Sequence, residues 1–205
     1  MLSKTAEPAK RTYCVRCQYP QSACVCAAIQ PMAVPQQLLV LQHPSEVSHT
    51  KNSVRLLRLA IPQTQVVVGE SATDFAALRQ QLQQTACALV YPADQDAAAP
   101  LAKIAADSPI KTLVLLDGTW RKVHRMLCLN PWLLQLPRLS LDIQHGSQYR
   151  IRKAKRSDSL STLEAAVFAL KQLQPQLDIT PTLNLLDELV AQRLARMPAD
   201  VRKRY

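Results

Sequence analysis

Short uninterrupted runs of Val and Leu alternate along this chain with longer segments of helical periodicity, and that alternation constrains the fold more than any other feature. Gln37–Gln42 (QLLVLQ), 64–69 (TQVVVG), 87–92 (CALVYP) and Thr112–Asp117 (TLVLLD) carry apolar residues at nearly every position. A strand with one solvated face would alternate, so continuous runs predict parallel strands covered on both faces. RLSLDI at 138–143 is a weaker fifth strand. Helical patterns lie at 51–60, 73–84 (with Thr73 or Asp74 as its cap), 99–107 and 119–128, and a further helix follows Ser161. There Ser161 and Glu164 have capping-box spacing ahead of AAVFALKQL. A last helix is predicted from Thr182 to Met197, with Leu183, Leu186, Leu189, Val190 and Leu194 on one stripe. The order β-α-β-α-β-α-β specifies an α/β domain with a mainly parallel sheet.

Ligands in such sheets bind beyond the carboxyl ends of the strands, which directs attention to Gln42-His43-Pro44, Tyr91-Pro92 and Asp117-Gly118-Thr119-Trp120. The 205 residues include only three glycines, so neither a G-x-G-x-x-G fingerprint nor a Walker A loop can be written, and dinucleotide and P-loop chemistry are excluded on those motifs. No stretch approaches the roughly 20 apolar residues of a spanning helix, and the polar opening MLSKTAEPAKRTY lacks a signal-peptide core. A cytoplasmic protein without membrane contact is expected, and no obligatory protein partner is evident.

In that compartment six cysteines are read as metal ligands or buried thiols rather than disulfides. Cys14, Cys17, Cys24 and Cys26 form a C-x2-C-x6-C-x-C array. Four thiolates so spaced can close a tetrahedron around one metal ion, Zn²⁺ being the best match, and such a closed site is structural. Unligated thiols or a redox pair are the alternative. Cys87 and Cys128 sit inside apolar patterns and are predicted to be buried.

The formal charge of +10 is unevenly placed. Residues 1–60 carry seven basic and two acidic side chains, residues 61–110 two and five, residues 111–160 ten and three, and residues 161–205 six and five. Two basic blocks flanking an acidic stretch point to a polyanion if the fold brings them together. Within the second block QYRIRKAKR (148–156) holds five Arg or Lys with Tyr149 interleaved, a pattern able to track a phosphate backbone while the ring stacks. LVLLDGTWRKVHRM sets Asp117 at a strand tip with Trp120, Arg121, Lys122 and Arg125 directly after it. Asp117 could serve simply as a helix N-cap acceptor; its basic and aromatic neighbourhood favours a functional acid. The four histidines show no metal spacing and are expected to make local hydrogen bonds.

At these residues the chain resembles the DTW-domain family, whose bacterial members are tRNA-uridine aminocarboxypropyltransferases. The matching segments run in order: the cysteine array, Gln42-His43-Pro44-x-Glu46 followed by Asn52, D-x-T-W at Asp117 to Trp120, Tyr149-Arg150-Ile151-Arg152-Lys153, and Leu160-Ser161-Thr162-Leu163-Glu164-Ala165. Ser53 and Ala154 depart from the pattern, which has Thr and an acid there. The resemblance implies a SPOUT-like α/β fold with a knotted carboxyl-terminal half, one of the few exceptions to unknotted topology. It also implies a small zinc module over residues 1–33 and a catalytic domain over 34–205.

By the same resemblance the donor is S-adenosylmethionine, the acceptor is a uridine of tRNA, expected in the variable loop, and the product is 3-(3-amino-3-carboxypropyl)uridine. Asp117 is the expected general base for the uridine N3 proton. An Asp of ordinary pKa, about 3.9, is weak for that task, so an apolar setting or a positioning role is expected. Glu164 is the second candidate acid, unless it is only the capping-box partner. Gln42, His43, Leu116, Gly118, Thr119, Leu139, Leu141, Ile151, Ser161 and Thr162 are expected around the donor. Trp120, Arg121, Lys122, Arg125, Tyr149, Arg150, Arg152 and Lys153 are expected on the tRNA. Two rivals fit the same sequence: a methyltransferase of this fold with the donor turned in its pocket, and a zinc-containing RNA-binding protein without catalysis.

Overall fold

The computed structural model describes residues 12–92, 110–141 and 160–203. Five strands, β1 (Gln37–Gln42), β2 (Gln65–Val68), β3 (Cys87–Val90), β4 (Thr112–Asp117) and β5 (Arg138–Leu139), form one sheet in the order β2-β1-β4-β3-β5. Every pairing is parallel. Both central strands match the sequence expectation to the residue, because their Val/Leu runs end abruptly at polar tips. The weak fifth strand is only two residues long, and its expected continuation at 142–143 lies outside the described residues, as does the helix expected over 99–107.

The apolar runs divide by period two between the sheet's faces. Leu38, Val40, Leu113 and Leu115 point to a core shared with α1 (Val54–Ala60), α4 (Thr162–Leu173) and α5 (Thr180–Ala195). Leu39, Leu41 and Val114 point to the opposite core, filled by Phe75, Leu78 and Leu82 and by Val123, Met126 and Leu127. Those residues belong to or adjoin α2 (Ala76–Gln83) and α3 (Trp120–Leu129). A four-residue helix, α6 (Ala199–Arg202), follows α5.

Helix starts show where local chemistry was readable and where it was not. Ser161 caps α4 by accepting the Glu164 N–H, while Glu164 Oε2 accepts the Ser161 N–H at 2.7 Å, a complete capping box. Helix α2 starts at Ala76, with its N-cap one residue after Asp74 and two after Thr73, the caps expected for it. Asp74 instead accepts the backbone N–H groups of Glu70 and Ser71, and Phe75 takes the N-cap position. Helix α1 begins at Val54 rather than 51, where Asn52 Oδ1 accepts the Val54 N–H at 2.8 Å. Helix α5 begins at Thr180, two residues early, with a proline in its first turn where a missing N–H costs nothing.

The cysteine segment does not stand apart from this architecture. Cys17, Tyr19 and Val25 are buried in the same core as α1, α4 and α5. The Tyr19 hydroxyl donates to the Asn52 carbonyl at 2.9 Å, and Gln192 Nε2 donates to the Cys24 carbonyl.

Because the capping box closes a fully buried helix start, Ser161→Ala should lower the unfolding free energy by about 1–2 kcal/mol. Urea denaturation measures this; a change within about 0.3 kcal/mol would show that the box contributes nothing to the folded state.

Candidate functional site at the strand tips

β1 and β4 run in register to their ends, so Gln42 and Asp117 are direct neighbours at the carboxyl edge of the sheet. The ladder continues past them: the His43 N–H donates to the Asp117 carbonyl at 2.9 Å and the Gly69 N–H to the Gln42 carbonyl at 3.0 Å. The Asp117 side chain is buried, at 8% exposure. Its Oδ2 accepts from Gln42 Nε2 at 2.8 Å and its Oδ1 from Thr162 Oγ1 at 2.5 Å. Thr162 is the first residue of α4, so the capping box that starts this helix also aims the hydroxyl at Asp117. The N-cap of α3 is Thr119, and Asp117 does not fill that role.

Glu164, the second acid expected in catalysis, is completely buried and its Oε2 is engaged by the Ser161 N–H. Burial of Asp187 holds its carboxyl above the usual carboxylate range, and the nearby Glu164 adds to the shift. Glu164 is placed to organise the start of α4, with no solvent-facing surface of its own.

Around Asp117 the structure gathers most of the expected residues and shows what each is doing. Gly118 sits at a close approach: a Cβ there would lie 3.2 Å from Lys122 Cβ, which would have to give way by a few tenths of an ångström. Trp120 is half-buried and meets Tyr91 edge-on, with centroids 6.2 Å apart. Leu116 and Leu141 are partly buried, whereas Leu139 is enclosed in the core. Thr119 and Arg121 are exposed. Lys122 pairs with Glu46 at 2.7 Å, and Arg125 with Glu70 at 2.9 Å, so two of the cations assigned to RNA already face carboxylates. Tyr149, Arg150, Ile151, Arg152 and Lys153 lie outside the described residues.

His43 makes the local contacts expected of it, with Nδ1 2.9 Å from Ser45 Oγ and Nε2 3.3 Å from Glu70 Oε1. Glu70 was not singled out in the sequence. Its signal was available: it follows Gly69 at the tip of β2, where the strand-end rule applies as it does to Asp117. Gly69 lets the next turn close, since a Cβ on it would sit 2.5 Å from Asp74 Cβ.

The four cysteines converge as their spacing predicted. Their sulfurs lie within 4.8 Å of one another, with Cys14 to Cys26 at 3.6 Å and Cys17 to Cys24 at 3.8 Å. Gln18, with φ 56°, turns the chain after Cys17, and Cys14 and Tyr19 are joined by an N–H to carbonyl bond at 2.8 Å. The Cys17 and Arg16 N–H groups pull the Cys14 thiol down to about 6. Burial and the neighbouring thiols push Cys26 up to about 12. Four sulfurs this close cannot all carry charge unless a cation sits among them, and the cluster can hold a metal ion. Of the remaining cysteines, Cys87 is buried as expected. Cys128 is exposed, against expectation, because α3 turns it to the solvent side beside His124.

A buried acid at adjacent parallel strand tips, braced by the first turn of a returning helix, belongs to a parallel-sheet α/β domain, and in such sheets ligands bind beyond the carboxyl ends of the strands. The sequence profile of the DTW domain matches residues 11–195, and the chain belongs to the DTW-domain family. The tRNA-uridine aminocarboxypropyltransferase 2 of Macaca fascicularis is 32% identical over 187 residues, covering 86% of this chain and 62% of that protein. The protein of the same name from Mus musculus is 32% identical over 184 residues, covering 85% and 60%. That from Drosophila melanogaster is 30% identical over 183 residues, covering 86% and 72%. The chain thus spans 62% and 60% of the length of the two mammalian relatives. No solved structure matches it.

The Glu70 turn carries a pH signature. Hydrogen bonds from the Glu70 and Ser71 N–H groups hold the Asp74 carboxyl below its usual range. A depressed folded-state pKa contributes stability above the unfolded value that disappears as pH falls through the folded one. Asp74→Asn should therefore lower the Tm at pH 7, and the gap to the parent protein should close as the pH is taken down through the carboxylate range. Thermal melts across that range check it; a gap independent of pH would contradict the assignment.

Proposed function

We propose that this chain transfers the 3-amino-3-carboxypropyl group of S-adenosylmethionine to N3 of a tRNA uridine, in the variable loop, releasing methylthioadenosine. The names of the relatives support the reaction class. The observation that carries it to particular residues is the Asp117 carboxylate, buried at the strand tips with a side-chain donor on each oxygen.

S-adenosylmethionine supplies an activated alkyl group on a sulfonium, so the protein's contribution is orientation and the handling of one proton. Uridine N3 bears an imide proton that must leave before the nitrogen can attack. Asp117 accepts it, and Gln42 and Thr162 stop the carboxylate from rotating, which fixes the line along which the imide approaches. Trp120 offers the base a half-buried aromatic surface, and Gly118 keeps the backbone close enough for a ligand to reach Asp117. We assign the donor to Gln42, His43, Leu116, Gly118, Thr119, Leu141, Ile151 and Thr162, with the enclosed Leu139 and Ser161 supporting that edge from within the core. Glu46 and Glu70 stand at the same edge as Asp117, each facing a cation of α3, and turn to a cationic donor when Lys122 and Arg125 turn to phosphate.

We assign the tRNA backbone to Arg121, Tyr149, Arg150, Arg152 and Lys153, joined by Lys122 and Arg125 when they exchange Glu46 and Glu70 for phosphate. The cysteine cluster is assigned a structural Zn²⁺ in a module spanning 1–33, ahead of a catalytic domain spanning 34–205. The knotted SPOUT-like topology is part of the proposal. Its support is the path of α4, which follows edge strand β5 yet packs on central β4 and on α1. Among the described residues no helix is long and apolar enough to cross a membrane. Action in the cytoplasm is part of the proposal and follows from the proposed tRNA substrate.

Mass spectrometry of nucleosides and small molecules after incubation with S-adenosylmethionine and unmodified tRNA tests the reading. The expected products are an aminocarboxypropyl-uridine and methylthioadenosine in equal amounts. A methylated nucleoside with S-adenosylhomocysteine would replace the reaction with methyl transfer at the same site, and no product with any tRNA would leave an RNA-binding protein.

A further inference from the structure

Tyr19 carries two arginines over its ring that the reaction does not use. Arg55, in the first turn of α1, places its Cζ 5.2 Å from the Tyr19 ring centroid, and Arg193, near the end of α5, places its own at 5.6 Å. The ring is buried, and its hydroxyl is anchored on the Asn52 carbonyl. Each guanidinium is held by carbonyl oxygens: Arg55 donates to Gln18 and Val47, and Arg193 donates to Thr50. Among the described residues neither pairs with a carboxylate; the ion pairs there involve His43, Lys122 and Arg125. Arg193 Nε is buried without an acceptor.

Two like charges on one aromatic ring repel each other, and cation–π attraction to a tyrosine returns only about 0.5–2 kcal/mol. Carbonyl contacts fix the geometry but do not neutralise the charge. An anion bound across the guanidinium groups would do so. The surroundings fit a polyanion rather than a small one. The adjoining cysteine turn exposes Arg16 and leaves Val15 98% exposed, with Tyr13 59% exposed beside them. The loop that supplies Val47 and Thr50 also supplies Glu46, which reaches Lys122 beside the Asp117 tip. One loop therefore joins the arginine pair to the candidate active site.

We propose that Arg55 and Arg193, stacked on Tyr19, form a phosphodiester seat that holds the tRNA backbone against the cysteine module while the target uridine enters the Asp117 site. This rests on the proposed tRNA substrate, but it is a statement about binding and is read without turnover. Bridging two guanidinium groups commits the seat to one or two backbone phosphates. Each neutralised phosphate steepens the plot of log K against log[salt] by about 0.7–0.9.

The test is tRNA affinity by fluorescence anisotropy across a salt series, for the full chain, Arg55→Gln/Arg193→Gln and the charge-retaining Arg55→Lys/Arg193→Lys. The Gln pair should bind tRNA at least about tenfold more weakly at ~0.1 M salt, with a slope shallower by about 1–2. Its metal content and S-adenosylmethionine affinity should be kept. The Lys pair should keep the slope. A folded Gln pair with unchanged affinity and slope overturns the seat. Should the Gln pair fail to fold, the unaltered protein decides between the outcomes: bound tRNA should protect Arg55 and Arg193 from phenylglyoxal, read by peptide mass spectrometry, and equal modification with and without tRNA overturns the seat. A shallower slope in a chain that never modifies uridine would sink the proposed reaction and leave the seat standing; product formation with an unchanged slope would do the reverse.

Discussion

The hydrogen bonds that Gln42 and Thr162 give to the two oxygens of Asp117 tie together β1, β4 and α4, and the geometry of the strand-tip site depends on them. A buried carboxylate is costly unless its oxygens are satisfied. Here one donor comes from the neighbouring strand and one from a helix some forty-five residues on in sequence. That second donor arrives correctly only because Ser161 and Glu164 set the first turn of α4. The wholly buried Glu164 thus bears on the strand-tip geometry indirectly, through the turn that carries Thr162.

A second chain of contacts runs from the cysteine cluster inward. The cluster folds a short polar segment, Tyr19 in that segment holds Asn52, and Asn52 in turn holds the Glu46 and Val47 carbonyls and the first N–H of α1. The loop it organises carries His43 and Glu46 to the edge of the site. The cysteine cluster is thereby tied, through Tyr19 and Asn52, to the loop beside the strand tips without touching Asp117 itself.

Much of this was legible because it is written in local rules. Val/Leu runs with polar ends gave β1 and β4 to the residue, spacing gave the four-cysteine cluster, and Ser161 with Glu164 gave the start of α4. What escaped was decided by contacts that periodicity and spacing do not show. The cap of α2 failed because Asp74 found closer N–H groups in its own turn. The engagement of Lys122 and Arg125 by Glu46 and Glu70 needed three loops brought to one edge. Cys128 misled because an apolar neighbourhood in sequence does not say which side of a helix a residue occupies. The family resemblance pointed to Asp117, and the packing added Gln42 and Thr162 as the residues that hold it.

The central claim is that the Asp117 carboxylate acts on the bound uridine and not merely on the fold. The direct measurement is single-turnover product formation by Asp117→Asn, alongside tRNA and S-adenosylmethionine affinities of the same protein. The amide keeps an acceptor for one donor and fills the same volume but cannot take a proton. The account predicts a loss of rate of at least about a hundredfold with both affinities within a few-fold of the parent. Full-rate product formation by the folded variant would contradict it.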